Sequence, residues 1–250
     1  MHHHDGANRI ARLRQSGALK LVFPRPRGAA LDAIVVNTAG GITGGDQFTL
    51  RAKVSSGAEL TISTQASERA YRAQPGETGR VRTHLRVAAG ARLNWVPQET
   101  ILFRKCALER RLQIDLEQGA RLLMVEPLVF GRAAMGETLD AANFDDRITL
   151  RRDGVPLYLD GTKLTGDVSR HLARPAVADG AGAMASLVYV APDAPEHLTV
   201  VRERGLAASL LGPDMLVLRA VAPDSHLLRQ SLLPVLDHLM QNTLPLSWRL

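Results

Sequence analysis

The chain reads as a mainly β protein of stacked layers that ends in a small helical part. Three observations predict this. Apolar and polar residues alternate along most of the first two-thirds, the period of a half-buried strand. A five-residue pattern, x-G-A-x-L, stands at 56–60, 89–93 and 118–122, intervals of roughly 30 residues that suit stacked supersecondary units. The last stretch changes period, with leucines at helical spacing over 224–242. So short a pattern also fits unrelated hairpins that share a turn, so the repeat is one of two readings.

Taken in order, a polar, arginine-bearing lead-in over 1–17, with His2, His3 and His4, is expected to be loosely held. A strand over 19–23 is ended by Pro24 and Pro26. Strands over 34–37 and 47–54 flank Asn37-Thr-Ala-Gly-Gly-Ile-Thr-Gly-Gly-Asp46, where Gly40, Gly41, Gly44 and Gly45 predict a tight, shaped connection. Alternation continues over 60–64, 81–87, 108–116, 148–150 and 155–159, the last after an Asp153-Gly154 turn, and Arg110 is the one polar interruption in its run. Residues 179–185, rich in Gly and Ala, read as a mobile loop. A helix over 193–205 stops at Gly205, and a strand follows over 215–220. The closing amphipathic helix has Asp224 or Ser225 as N-cap and is kinked or split at Pro234. Its leucine stripe is core or a docking face.

At 250 residues the chain is long enough for a sizeable core and is read as a single domain. Aromatics make up only 4 %, so that core must be built from Leu, Val, Ile and Ala. No run of about 18 apolar residues predicts a membrane span, and the start lacks the apolar segment of a secretory signal. The lone Cys106 excludes an internal disulfide and a multi-cysteine zinc site; a cytoplasmic location is expected. The formal charge of +6 is carried mostly by arginines scattered singly along the strands. Without a nucleic-acid motif, an acidic protein partner accounts for that charge as well as a nucleic acid does.

Several chemistries can be weighed. A phosphate loop needs Lys and Ser or Thr after its last glycine, then a helix; here Asp46 and a strand follow. Cys106 follows Arg104-Lys105, which would lower its pKa in a shared pocket, yet the favoured reading is a singleton small residue in a turn or strand. The histidines have no metalloprotease spacing. Carboxylates are more suggestive: Asp46, Glu68, Glu99, Glu126, Glu137 and the pair Asp145-Asp146 stand beside apolar or glycine-rich segments. There they bind a cation or pair with arginine, as Glu126 with Arg132.

Four ordered motifs then carry a resemblance. They are 37–46; Ser63-Thr-Gln-Ala-Ser-Glu-Arg-Ala-Tyr-Arg72; Leu93-Asn-Trp-Val-Pro-Gln-Glu-Thr-Ile-Leu-Phe103; and 126–130 with Gly131-Arg132 and Gly136-Glu137. The chain resembles the UreD (UreH) urease accessory proteins, including an ending similar to Pro-Arg-x-Trp at 245–248. The resemblance implies stacked β-helix-like sheets and a non-catalytic scaffold with no tightly bound cofactor. It implies partners too: the urease apoprotein, UreF and, through UreF, the GTPase UreG, with nickel in transit to the urease active site. The positions it carries over are Asp46, Gln65, Glu68, Tyr71, Arg72, Gln98, Glu99, Glu126, Arg132 and Glu137. Asp46, Glu126 and Glu137 are the expected lining or gate of a nickel passage, with Asp46 equally readable as the cap of its own loop. Where the family carries Asp-Gly after Leu-Phe, Arg104 and Lys105 stand. The alternative to the scaffold is a hydrolase-like enzyme using Cys106 or paired carboxylates.

Overall fold

The computed structural model describes residues 1–4, 7–25, 28 and 30–249, so Pro26, expected to end the first strand, lies outside them. Strands β1 (His2–His4) and β2 (Ala7–Arg9) pair as an antiparallel hairpin. The lead-in therefore carries local structure, tied down where the Met1 ammonium donates to the Lys53 carbonyl at 2.8 Å. β3 (Leu19–Val22) runs antiparallel to β4 (Leu31–Asn37). The chain then winds through β5 (Gln47–Val54), β6 (Glu59–Thr64), β7 (Glu68–Ala70), β8 (Gly79–Val87), β9 (Arg92–Val96) and β10 (Thr100–Leu102). Next come β11 (Ala107–Leu116), β12 (Arg121–Phe130), β13 (Ala142–Arg152) and β14 (Val155–Gly166).

Successive long strands alternate between two sheets. In the first, β4, β6, β9 and β12 are parallel neighbours; in the second, β5, β8, β11 and β13 are. The result is a β-solenoid of stacked coils, and the repeat is its turn. Gly57, Gly90 and Gly119 all take left-handed φ, at +70°, +68° and +79°, a conformation that costs glycine little. The alanine after each is buried, and Leu60, Leu93 and Leu122 stack in register. Backbone bonds tie one turn to the next, Arg92 N–H to Ala58 O at 3.0 Å and Arg121 N–H to Ala91 O at 2.9 Å.

Beyond the solenoid, β14 adds antiparallel to the second sheet. β15 (Ala183–Val190), β17 (Met215–Ala222) and β16 (Ala207–Leu210) extend the first. The α-helices among the described residues are α1 (Val168–Leu172), α2 (Ala194–Glu203) and α3 (Ser225–Leu239). Two expectations need correcting. Residues 183–185 begin a central strand instead of a loop; Ala183 and Ala185 are fully buried between β12 and β17, where small side chains let α3 pack close. Of the two alternatives at Pro234, a kink or a split, the split is overturned: α3 runs through it as one helix. Its burial of Leu228, Leu232, Val235 and Leu236 outweighs the hydrogen bond that proline forfeits. That stripe is core.

Among the described residues, buried apolar side chains form three clusters. One lies between the first sheet and helices α2 and α3. The other two lie between the sheets, one at the repeat-turn end around Leu85, Leu93 and Ile114, the other around Leu102, Leu108 and Phe144. What separates these last two is polar.

Candidate functional site

The four sequence motifs occupy one structural position. Each spans the corner where the chain leaves the first sheet for the second. Ile42 bridges Ala70, Ala70 pairs with Leu102, and Leu102 pairs with Phe130, a ladder with one rung from each motif. Gly41 is required there because a Cβ would strike the Tyr71 ring and the Arg69 carbonyl. Tyr71 in turn donates to Gly40 O at 3.2 Å and packs edge-on against Phe103. Asp46 closes the glycine loop: its Oδ2 accepts the Thr43 N–H at 2.8 Å, and its carbonyl accepts Arg80 N–H at 2.7 Å. Gly44 lies against Glu77 and Gly45 takes φ +84°. Thr43 Oγ1 donates to the carbonyl of Arg72, which also bridges Cys106.

Gln98 and Glu99 fasten the helical part. Arg229 of α3 donates to both Glu99 oxygens at 2.6 and 2.9 Å and to Gln98 Oε1 at 2.7 Å. Gln98 Nε2 donates to the carbonyls of Ser247 and Gln65, and buried Trp248 donates to Val96 O at 2.8 Å. Burial raises the Glu99 carboxyl, but the Arg229 hydrogen bonds and charge prevail and hold it below its usual range.

On the other flank, Arg132 pairs with Glu137 while its guanidinium lies 4.3 Å from the centre of the Phe103 ring. Glu137 also accepts the Arg104 N–H at 3.2 Å, and the Arg132 hydrogen bond foremost keeps its carboxyl low. Arg104 pairs with Asp140, and Lys105 takes φ +62°, the conformation that a glycine at this turn adopts freely. Arg132 is thus Glu137's partner and not Glu126's.

Glu126 faces the space between the sheets, on the polar layer that divides the inter-sheet core. Arg110 NH1 lies 3.0 Å from Glu126 Oε2, and Arg110 NH2 lies 2.7 Å from Asp146 Oδ2; all three side chains are largely buried. Trp95 Nε1 donates to Glu126 at 2.6 Å, and Arg110 NH1 also donates to Thr100 at 2.9 Å. Burial pushes the Glu126 carboxyl up, with the Arg110 charge pulling against it. The same burial opposes charge on Arg110, but Asp146 and Glu126 outweigh it and raise the guanidinium's pKa.

Space exists on both sides of this triad. A cavity of about 100 Å³, reaching Glu68, Thr64, Thr83 and Gln98, touches it on one side. One of about 10 Å³, the size of a single water, touches Glu126 and Asp146 on the other and reaches Asp160 and Ser186. Asp160 is held by Arg219 at 2.6 Å and by Ser186 at 3.1 Å. Half-buried Glu68, whose carboxyl burial raises, accepts Asn37 Nδ2 at 3.0 Å. Together these groups form a polar seam across the sandwich. Of the three expected passage residues only Glu126 lines it; Asp46 and Glu137 do not. Among the described residues no three His, Cys, Asp or Glu side chains gather as a metal-holding group.

Comparison with known proteins matches residues 1–249 to the model of the UreD urease accessory protein family. The chain belongs to the UreD family. It is similar to the urease accessory protein UreD of Ruegeria pomeroyi, at 55 % identity over 96 % of this chain and 94 % of that one. Similarity to UreD of Roseobacter denitrificans is 53 % over 98 % and 91 %, and to UreD of Brucella suis 45 % over 92 % and 85 %. The UreD-like motifs are thus four copies of one corner in a solenoid. Asp146 stood in the sequence only as half of the acidic pair Asp145-Asp146, and Arg110 and Asp160 were not singled out as site positions. For Arg110 the available signal was its break in a strand's alternation.

Cys106, the alternative nucleophile, is buried, and burial pushes its thiol up to about 12. Arg104 turns to Asp140 instead of facing it. A thiol so placed is packing. No helix among the described residues is long and apolar enough to cross a membrane.

Proposed function

We propose that this UreD-family chain is a non-catalytic scaffold in urease maturation. It bridges the urease apoprotein to UreF, and through UreF to the GTPase UreG, while nickel in transit uses the inter-sheet seam at Glu126 and Asp146. One observation carries the transit reading: a charged layer divides a core that would otherwise be continuous and apolar. Buried ionic triads are weak contributors to stability, and well-packed apolar side chains of similar volume serve a fold as well or better. The layer therefore calls for a reason other than stability.

Two carboxylates against one guanidinium leave the triad a surplus of negative charge when both are ionised. A hard or borderline divalent ion is drawn to such oxygens and is released readily where no closed ligand cage forms. Arg110 is the resident cation, and an arriving ion replaces its pairing with one carboxylate at a time. Asp46 and Glu137 serve this reading by holding the corner loops from which the seam is built.

The test is activation of apo-urease by UreF, UreG, GTP, Ni²⁺ and bicarbonate, with and without this chain. Activation that requires the chain supports the maturation role. Equal activation without it, given that UreF and UreG remain competent, refutes that role.

A further inference from the structure

We propose that the outer face of the second sheet is the docking surface for an acidic face of the urease apoprotein. The proposal rests on the maturation role above and assigns it a contact surface. Arginines dispersed along the sequence are stacked by the solenoid. Arg82, Arg111 and Arg147 are direct neighbours on β8, β11 and β13. In another row Lys53 neighbours Arg86, and Arg151 stands across Asp115. Helices α2 and α3 pack on the opposite, first sheet, and alternate residues of β5 and β13 on this face are exposed.

Three carboxylates temper the charge here. Glu109 lies 3.3 Å from Arg82, Asp145 lies 2.8 Å from Arg111, and Asp115 lies 3.9 Å from Arg86. Arg51, Lys53, Arg80, Arg147, Arg151 and Lys163 have no carboxylate within 4 Å among the described residues. Like charges directly opposite one another on neighbouring strands destabilise a sheet, so the isolated chain bears a cost that an acidic partner removes. Two features favour a protein surface over a nucleic acid. The outward positions of β5, β8, β11 and β13 carry no aromatic ring on which bases could stack. The interspersed carboxylates also repel a uniform polyanion while giving a patterned surface its register.

The experiment compares the full chain with the double variant Arg147→Glu, Arg151→Glu, and with Arg147→Lys, Arg151→Lys as the charge-preserving control. Wild-type binding to apo-urease is expected to weaken steeply between about 50 and about 500 mM NaCl, where the Debye length shrinks to a few ångströms. The reversed variant should bind about tenfold or more weakly at low salt, with a flattened salt response, and the lysine variant should bind like wild type. The melting temperature of the reversed variant alone should stay near that of wild type, because Arg147→Glu gains Arg111 as an opposite charge where Arg151→Glu meets Asp115 as a like one. This separates lost docking from lost folding. Salt-insensitive wild-type binding, or undiminished urease binding by the reversed variant, overturns the surface while leaving the maturation role standing. So does a variant that loses only binding to a duplex or single-stranded RNA probe. Failure of the wild-type chain to bind apo-urease at any salt overturns both.

Discussion

At the scale of single residues, the structure separates side chains that hold the fold from those that burden it. Arg110 neutralises two buried carboxylates, so Arg110→Met alone should cost about 3–5 kcal/mol in urea unfolding. Arg110→Met with Glu126→Gln and Asp146→Leu, which keeps an acceptor for Trp95, should recover most of that loss. Glu99 makes the opposite case. Its carboxyl is held low in the folded chain, so its contribution is in place above the unfolded value of about 4.3 and fades as pH falls through the folded one. Melting curves from neutral to acid pH should therefore fall less steeply for Glu99→Gln than for wild type. Lys105, in a left-handed conformation, predicts that Lys105→Gly raises stability by up to about 1 kcal/mol. Glu126 could be picked from sequence because a carboxylate inside an apolar run demands a partner. The partner could not, because Arg110 is 16 residues away in sequence and meets it only across the sandwich.

At the scale of elements, most strands were legible because alternation reports which face is buried, and β5 runs over the expected 47–54. Two segments misled for the same physical reason: neighbours set their state. Gly and Ala over 179–185 signal a loop locally, yet part of the segment is the start of β15, whose other two strands leave room only for small side chains. Pro234 signals a break locally, yet the leucines around it are buried deeply enough to keep α3 whole. The x-G-A-x-L turn and the stacking it implies were readable from its recurrence, but the register that sets leucine on leucine was not, since register exists only between coils. Gly41→Ala, which drives a methyl into Tyr71 and the Arg69 carbonyl, should destabilise by about 1–3 kcal/mol in thermal or urea melts. Gly17→Ala, at φ +67° but with open space around its Cβ, tests strain without a clash and should cost less.

At the scale of the whole molecule, winding gathers what the sequence disperses. Four motifs become one corner, isolated arginines become a charged face, and carboxylates from separate coils meet across a seam. No linear pattern displays these groupings, because each depends on residues a full coil apart. The proposed route of nickel bound for urease is the seam of this chain. The most direct test measures nickel per urease active site after incubation with UreF, UreG, GTP, Ni²⁺ and bicarbonate. Wild type is compared with Thr83→Leu, which fills the cavity beside the triad while leaving its charges in place, after each chain is shown to form the urease complex. Thr83→Leu should lower nickel content toward that of a reaction lacking this chain. Nickel content equal to wild type, with the complex intact, would contradict it.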